Sequence, residues 1–103
     1  MIRPQRIRRQ RIRPQRIRRR VVVHGRVQGV YFRAECASTA RAHGVSGWVG
    51  NQPDGTVYAE FEGTPEAVEA VLAWCHTGSP RSTVTDVEVT PLEPTGETKF
   101  SVH

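Results

Sequence analysis

Charge divides this chain into two unequal parts. Residues 1–20 carry ten of the fifteen basic residues, all arginine, and none of the ten acidic ones. The segment is also a repeat. Ile2-Arg3-Pro4-Gln5-Arg6 recurs as Ile12-Arg13-Pro14-Gln15-Arg16, and Ile7-Arg8-Arg9-Gln10-Arg11 is the same unit with Arg in place of Pro. A period of five residues matches neither a helix (about 3.6) nor a strand (about 2), so it presents no face that a core could bury. Pro4 and Pro14 interrupt any helix, and ten like charges repel one another. The tail is expected to be disordered, which confines folding to residues 21–103. Those residues hold five basic and ten acidic groups, a formal net of −5. The chain's net charge of +5 therefore describes the tail, and the domain is acidic.

A chain of 103 residues has room for one small domain. No apolar run approaches the ~18 residues that span a bilayer, so a transmembrane protein is excluded. Two cysteines are too few for a disulfide scaffold, and a cytoplasmic monomer with no membrane partner is the expectation. Three readings compete for the tail. A basic arm would bind nucleic acid or an anionic membrane with salt-sensitive affinity. A mitochondrial transit peptide fits the Arg-rich, acid-free composition, but the segment has no Ser and its prolines spoil an amphipathic helix. The third reading, a repeated tract upstream of a start at Val21, is preferred because Val21-Val22-Val23 begins a strand abruptly. With no aromatic residue to stack on bases, the tail is the sole and weak argument for a nucleic-acid partner.

Within the domain, Val21 to Val27 is a β-branched run expected to form a buried strand. Residues 33–43 read as a helix closed by Gly44, and Val45 to Asn51 as a second strand. Pro53-Asp54-Gly55-Thr56 is a turn, after which Val57 to Glu62 alternates as a third strand. Thr64-Pro65-Glu66 announces a second helix with Thr as N-cap and Pro in its first position. Thr83 to Thr90 alternates imperfectly, a fourth strand with a bulge, and Lys99 to Val102 ends the chain as a short strand. The order β-α-β-β-α-β is the ferredoxin-like α+β sandwich, an antiparallel sheet with two helices on one face. Its core is expected to contain Val21, Val23, Ala37, Ala40, Val49, Val57, Val68, Val71, Leu72, Val87 and Val89, with aromatics at its margins.

The loop before the first helix carries the chemistry. Gly25-Arg26-Val27-Gln28-Gly29-Val30-Tyr31-Phe32-Arg33 places a glycine-flexed turn directly ahead of a helix N-terminus. Successive amides in such a turn form a concave nest for an anion, and the helix dipole points into the same space. Arg33 in the first turn is electrostatically misplaced as a purely structural residue. A bound phosphate would resolve that conflict through bidentate hydrogen bonds; the other reading is a surface arginine beside an ordinary loop. His24, His43, His76 and His103 have no metal-ligand spacing, and no cofactor or metal is expected. Cys36 and Cys75 are expected to be buried and unpaired.

The run Val23-His24-Gly25-Arg26-Val27-Gln28-Gly29-Val30-Tyr31-Phe32-Arg33 resembles the first signature of the acylphosphatase family. Gly47-Trp48-Val49-Gly50-Asn51, then Asp54-Gly55-Thr56-Val57 and Gly63, is similar to the second, and Gly78-Ser79-Pro80-Arg81-Ser82 also fits. The resemblance covers residues 21–103. It implies metal-independent hydrolysis of small acyl phosphates to a carboxylate and inorganic phosphate. Arg33 and the amides of Gln28, Gly29, Val30, Tyr31, Phe32 and Arg33 would hold the phosphate, and Asn51 would position the attacking water. One departure is Gly50, where the family carries a longer residue; it is expected to loosen the strand bearing Asn51. Two rivals remain: a slow or inactive anion-binding module of the same fold, and a nucleic-acid-associated protein that uses its tail.

Overall fold

The structure, a computed structural model, describes residues 15–103. The strand β1 (Ile17–Arg26) is followed by helix α1 (Phe32–Ala42), β2 (Ser46–Asn51) and β3 (Val57–Gly63). Helix α2 (Pro65–Thr77), β4 (Thr83–Leu92) and β5 (Phe100–Val102) complete the chain. The strands form one sheet in the order β4-β1-β3-β2-β5. The first four are antiparallel, as a ferredoxin-like fold requires. The fifth runs parallel to β2, so the sheet is mixed rather than wholly antiparallel. Connectivity explains the correction. The segment after β4 crosses the helix-free face from one edge to the other, and the chain then returns antiparallel to β4.

Alternation along the strands aims Val21, Val23, Val49, Val57, Ala59 and Phe61 at the helices. They meet Cys36, Ala37 and Ala40 of α1 and Val68, Val71 and Cys75 of α2, all at most 1% exposed. Small residues on α1 leave volume that rings must fill to reach interior packing density. Phe32 and Phe61 therefore sit at the centre of the core and not at its margins, and Trp74 packs on Phe32 with ring centroids 4.9 Å apart. Leu72 and Val87 are half-buried against this core, but Val89 is 42% exposed. It lies on the edge strand β4, where Val84 and Val87 pack against the core but Val89 does not.

Both helices end as their sequences require. At the end of α1, Gly44 has φ 69°, Val45 donates to the Ala40 carbonyl and Gly44 to that of Arg41, the Schellman pattern. Thr64 caps α2 by accepting from the Ala67 amide at 3.3 Å. The irregularity expected in β4 is present: His24 pairs with Asp86 and Gly25 with Val84, leaving Thr85 as the extra residue.

The boundary of the folded part differs from expectation. Strand β1 begins at Ile17 and pairs on both sides, Arg18 with Glu62 of β3 and with Leu92 of β4. Arg18 is 4% exposed on the helix-free face, where its guanidinium meets Glu60 at 2.8 Å, Glu62 at 3.0 Å and Glu97 at 2.9 Å. Glu62 is fully buried and accepts from Arg16 and from the amides of Thr95 and Gly96. Arginines that read as tail by composition are thus the partners of acidic residues some 40 positions further on, a pairing that no local pattern reveals. The disorder expected for residues 1–14 lies outside the described residues.

Candidate active site

Three turns converge beside the N-terminus of α1. The first joins β1 to α1. Gly25 enters it at φ 121°, and a Cβ there would lie 2.0 Å from the Thr83 carbonyl oxygen, so the close approach of β4 demands glycine. Gly29 at φ 73° and Tyr31 at φ 63° are both left-handed, and Tyr31 is the N-cap residue of α1. Left-handed residues alternating with ordinary ones turn successive amides to one side. Among the described residues, the main-chain amides of Gln28 to Arg33 meet no protein acceptor; Glu35 is the first to donate back, to the Tyr31 carbonyl at 3.1 Å. Nothing lies within 4 Å of a Cβ placed on Gly29, so the nest is open to an incoming group.

The other two turns hold this loop in place. From the β2–β3 turn, the carbonyls of Gln52 and Thr56 accept from the Gln28 side chain at 2.7 and 2.9 Å. That turn is itself braced by Asp54, which accepts from the Thr56 amide and hydroxyl. From the α2–β4 turn, the buried Ser79 hydroxyl donates to the Val30 carbonyl at 2.7 Å. The nest is therefore built by main chain and fixed by two side chains, its own Gln28 reaching to the β2–β3 turn and Ser79 reaching in from the α2–β4 turn.

A groove of about 590 Å³ opens in front of it, lined by Val27, Gly29, Tyr31, Phe32, Arg33 and Asn51 and, along α1, by Ala34, Ala37 and Arg41. Val102 of β5 also lines it. Arg33 is half-buried, and its Nη1 donates to the main-chain oxygen of His103 at 2.7 Å. Asn51 is exposed at the end of β2, in register with Val57 and on the helix side of the sheet. Gly29, Tyr31, Phe32, Arg33 and Asn51 are thus brought together as expected. Gln28 and Val30 do not line the groove: the Gln28 side chain is turned into the β2–β3 turn, and Val30 is 4% exposed in the core. Their contribution is restricted to main-chain amides.

Gly50 has a positive use. A Cβ there would lie 3.3 Å from that of His103 and 3.4 Å from the Trp48 ring, which stacks between Tyr58 and His103. The strand it belongs to is paired with β3 on one side and β5 on the other. His24 is outside the groove and meets Glu88 at 2.6 Å; that hydrogen bond holds the imidazole pKa above its ordinary value. Cys36 and Cys75 are buried and free, and the contact of the two sulfurs, reinforced by burial, pushes the Cys36 thiol up. Among the described residues, no group of three His, Cys, Asp or Glu is arranged to hold a metal, and no helix is long and apolar enough to cross a membrane.

Reasoning on the sequence did not single out the side chains of Gln28 and Ser79 as supports of the loop, nor Arg41 as a groove residue. Gly78-Ser79-Pro80 fits the family pattern, but the hydrogen bond from Ser79 to Val30 joins residues 49 apart.

The acylphosphatase family profile matches residues 19–102. The acylphosphatase of Natronomonas pharaonis is 51% identical over 83 residues, covering 81% of this chain and 90% of that protein. The acylphosphatase of Thermococcus kodakarensis is 54% identical over 80 residues, 78% of this chain and 88% of that one. The crystal structure of acylphosphatase from Bacillus subtilis superposes with a TM-score of 0.82 at 38% identity, covering 84% of this chain and 98% of that chain.

Proposed function

The chain belongs to the acylphosphatase family, and from that premise we propose that its groove hydrolyses the carboxyl–phosphate bond of small acyl phosphates without a metal. The observation that carries this reading is the open nest of amides at 28–33 with Arg33 and Asn51 in the same groove. Phosphoryl transfer asks mainly for positioning and charge stabilisation, which these groups supply. The amides and the α1 dipole take the phosphate oxygens, and Arg33 exchanges its bond to His103 for bonds to the phosphate. The Asn51 side-chain amide orients a water in line with the scissile bond. The water oxygen bonds to phosphorus as the bond from phosphorus to the acyl oxygen breaks, and the electron pair leaves with the carboxylate. A carboxylate of pKa near ~4 departs without a general acid. The water's proton passes to a phosphate oxygen of the substrate.

The protein acts in this reading as a cytoplasmic monomer, and residues 1–14 take no part in the chemistry. Nothing in the groove favours a nucleic-acid role over this one. The test is hydrolysis of benzoyl phosphate by the full chain in EDTA. Arg33→Ala is expected to lose turnover and inhibition by phosphate together. Asn51→Ala is expected to lose roughly 10²-fold in kcat while phosphate inhibition persists, the size of a positioning effect. Phosphate inhibition vanishing with turnover in the Asn51 variant would overturn its water-holding role. A wild-type chain that binds phosphate without turnover would replace the enzyme by a binding module.

A further inference from the structure

The groove is longer than a phosphate needs. From Arg33 it continues along one face of α1 over Ala34 and Ala37 to Arg41, with Val102 of β5 as its other wall. Arg33, Ala37 and Arg41 follow one another at intervals of four residues, so they lie in one row. Ala37 between them is 1% exposed and has no side chain long enough to block the passage. Eight residues of helix separate the two arginines by about 12 Å along the axis.

Arg41 is held in a fixed place yet keeps most of its capacity. Its Nη2 donates to the Phe100 carbonyl at 2.9 Å, which orients the planar guanidinium. The other donors of the fork are uncommitted to any carboxylate among the described residues. Charge placement points the same way. The described residues 15–103 carry nine basic side chains, of which Arg16 and Arg18 are committed to Glu60, Glu62 and Glu97. Arg33 and Arg41 line this groove, and Lys99 lines an adjoining depression together with Arg41. Three cations thus lie along the line that starts at the phosphate nest, and none of the three pairs with a carboxylate side chain among the described residues.

We propose that Arg41 is a specificity-determining residue, binding a second anionic group, carboxylate or phosphate, at the far end of the acyl moiety. The preferred substrates are acyl phosphates whose acyl group spans the alanine floor and ends in that second anion. This deepens the acylphosphatase reading and rests on it. An exposed charge-assisted hydrogen bond of this kind improves binding by about tenfold, seen in KM and not in kcat.

The test compares 4-carboxybenzoyl phosphate with benzoyl phosphate, which differ by one remote carboxylate. For the full chain, the ratio of kcat/KM for the carboxylated over the plain substrate is expected to exceed one. It is expected to fall about tenfold in Arg41→Met and to recover in part in Arg41→Lys, with the change in KM. Because both substrates are read in each variant, a general loss of fold cancels from the ratio. A ratio of one in the wild type, or one unchanged in Arg41→Met, overturns the proposal. Absence of turnover with either substrate in the wild type overturns the acylphosphatase reading itself, and this inference with it.

Discussion

At the scale of single residues, the nest is main chain, but its shape depends on side chains that never touch substrate. Ser79 is such a positioning residue: its hydroxyl is buried and its bond to the Val30 carbonyl ties the loop to the α2–β4 turn. Ser79→Ala leaves that carbonyl without a partner, which costs roughly 1–3 kcal/mol. Phosphate inhibition is expected to weaken in this variant beyond what the stability loss explains, because the amides at 28–33 lose their alignment. Urea midpoints and phosphate inhibition constants, measured on the same preparation, check both. Gly29, Tyr31, Phe32 and Arg33 were legible because they sit in a contiguous run whose glycines and helix start announce a nest, whereas Asn51, at the end of β2, was singled out only by the family resemblance. Ser79 and Arg41 were not, since their meaning comes from partners 49 and 59 positions away.

Secondary-structure elements were legible where local chemistry decides them. Thr64-Pro65 started α2, Gly44 ended α1, and the alternation from Val57 marked β3. Strand β1 is the exception at its N-terminal end. Its residues 17–20 read as part of an arginine repeat, and they are strand because β3 and β4 offer acidic and hydrogen-bonding partners on both sides. A chain started at Val21 would keep the motifs but lose Arg16 and Arg18, leaving Glu62 buried without either guanidinium. Breaking a buried pair in this way costs about 3–5 kcal/mol. Denaturant unfolding of residues 15–103 against 21–103 is expected to show a deficit of that order in the shorter chain. Equal midpoints would remove the ion network from the account of stability.

Across the whole molecule, the same network sets the response to acid. Burial works to raise the Glu62 pKa, but the Thr95 amide, the Arg18 guanidinium, the Gly96 amide and Arg16 together hold it down, from an ordinary 4.5 to about 2. A carboxyl lowered on folding contributes stability that is full above its unfolded value and lost as pH falls through the folded one. The domain is therefore expected to lose stability between about pH 4.5 and 2, and Glu62→Gln to flatten that dependence while lowering stability at neutral pH. Urea titrations across this window measure it; a Gln variant that keeps the wild-type slope would assign the acid sensitivity elsewhere. The overall architecture followed from element order, since right-handed crossovers leave one arrangement for β-α-β-β-α-β. The parallel pairing of β5 did not, because a three-residue strand carries no signal of which edge it joins.

The sequence by itself determined the element order, the helix caps, the glycine-flexed turn ahead of α1 and the family. These depend on contiguous residues, whose backbone preferences act locally. The tertiary structure decided where the domain begins, which aromatics fill the core, what fixes the nest and how far the groove extends along α1. Each of those is a contact between segments brought together only by burial of the core, and contact partners distant in the chain leave no periodicity to read.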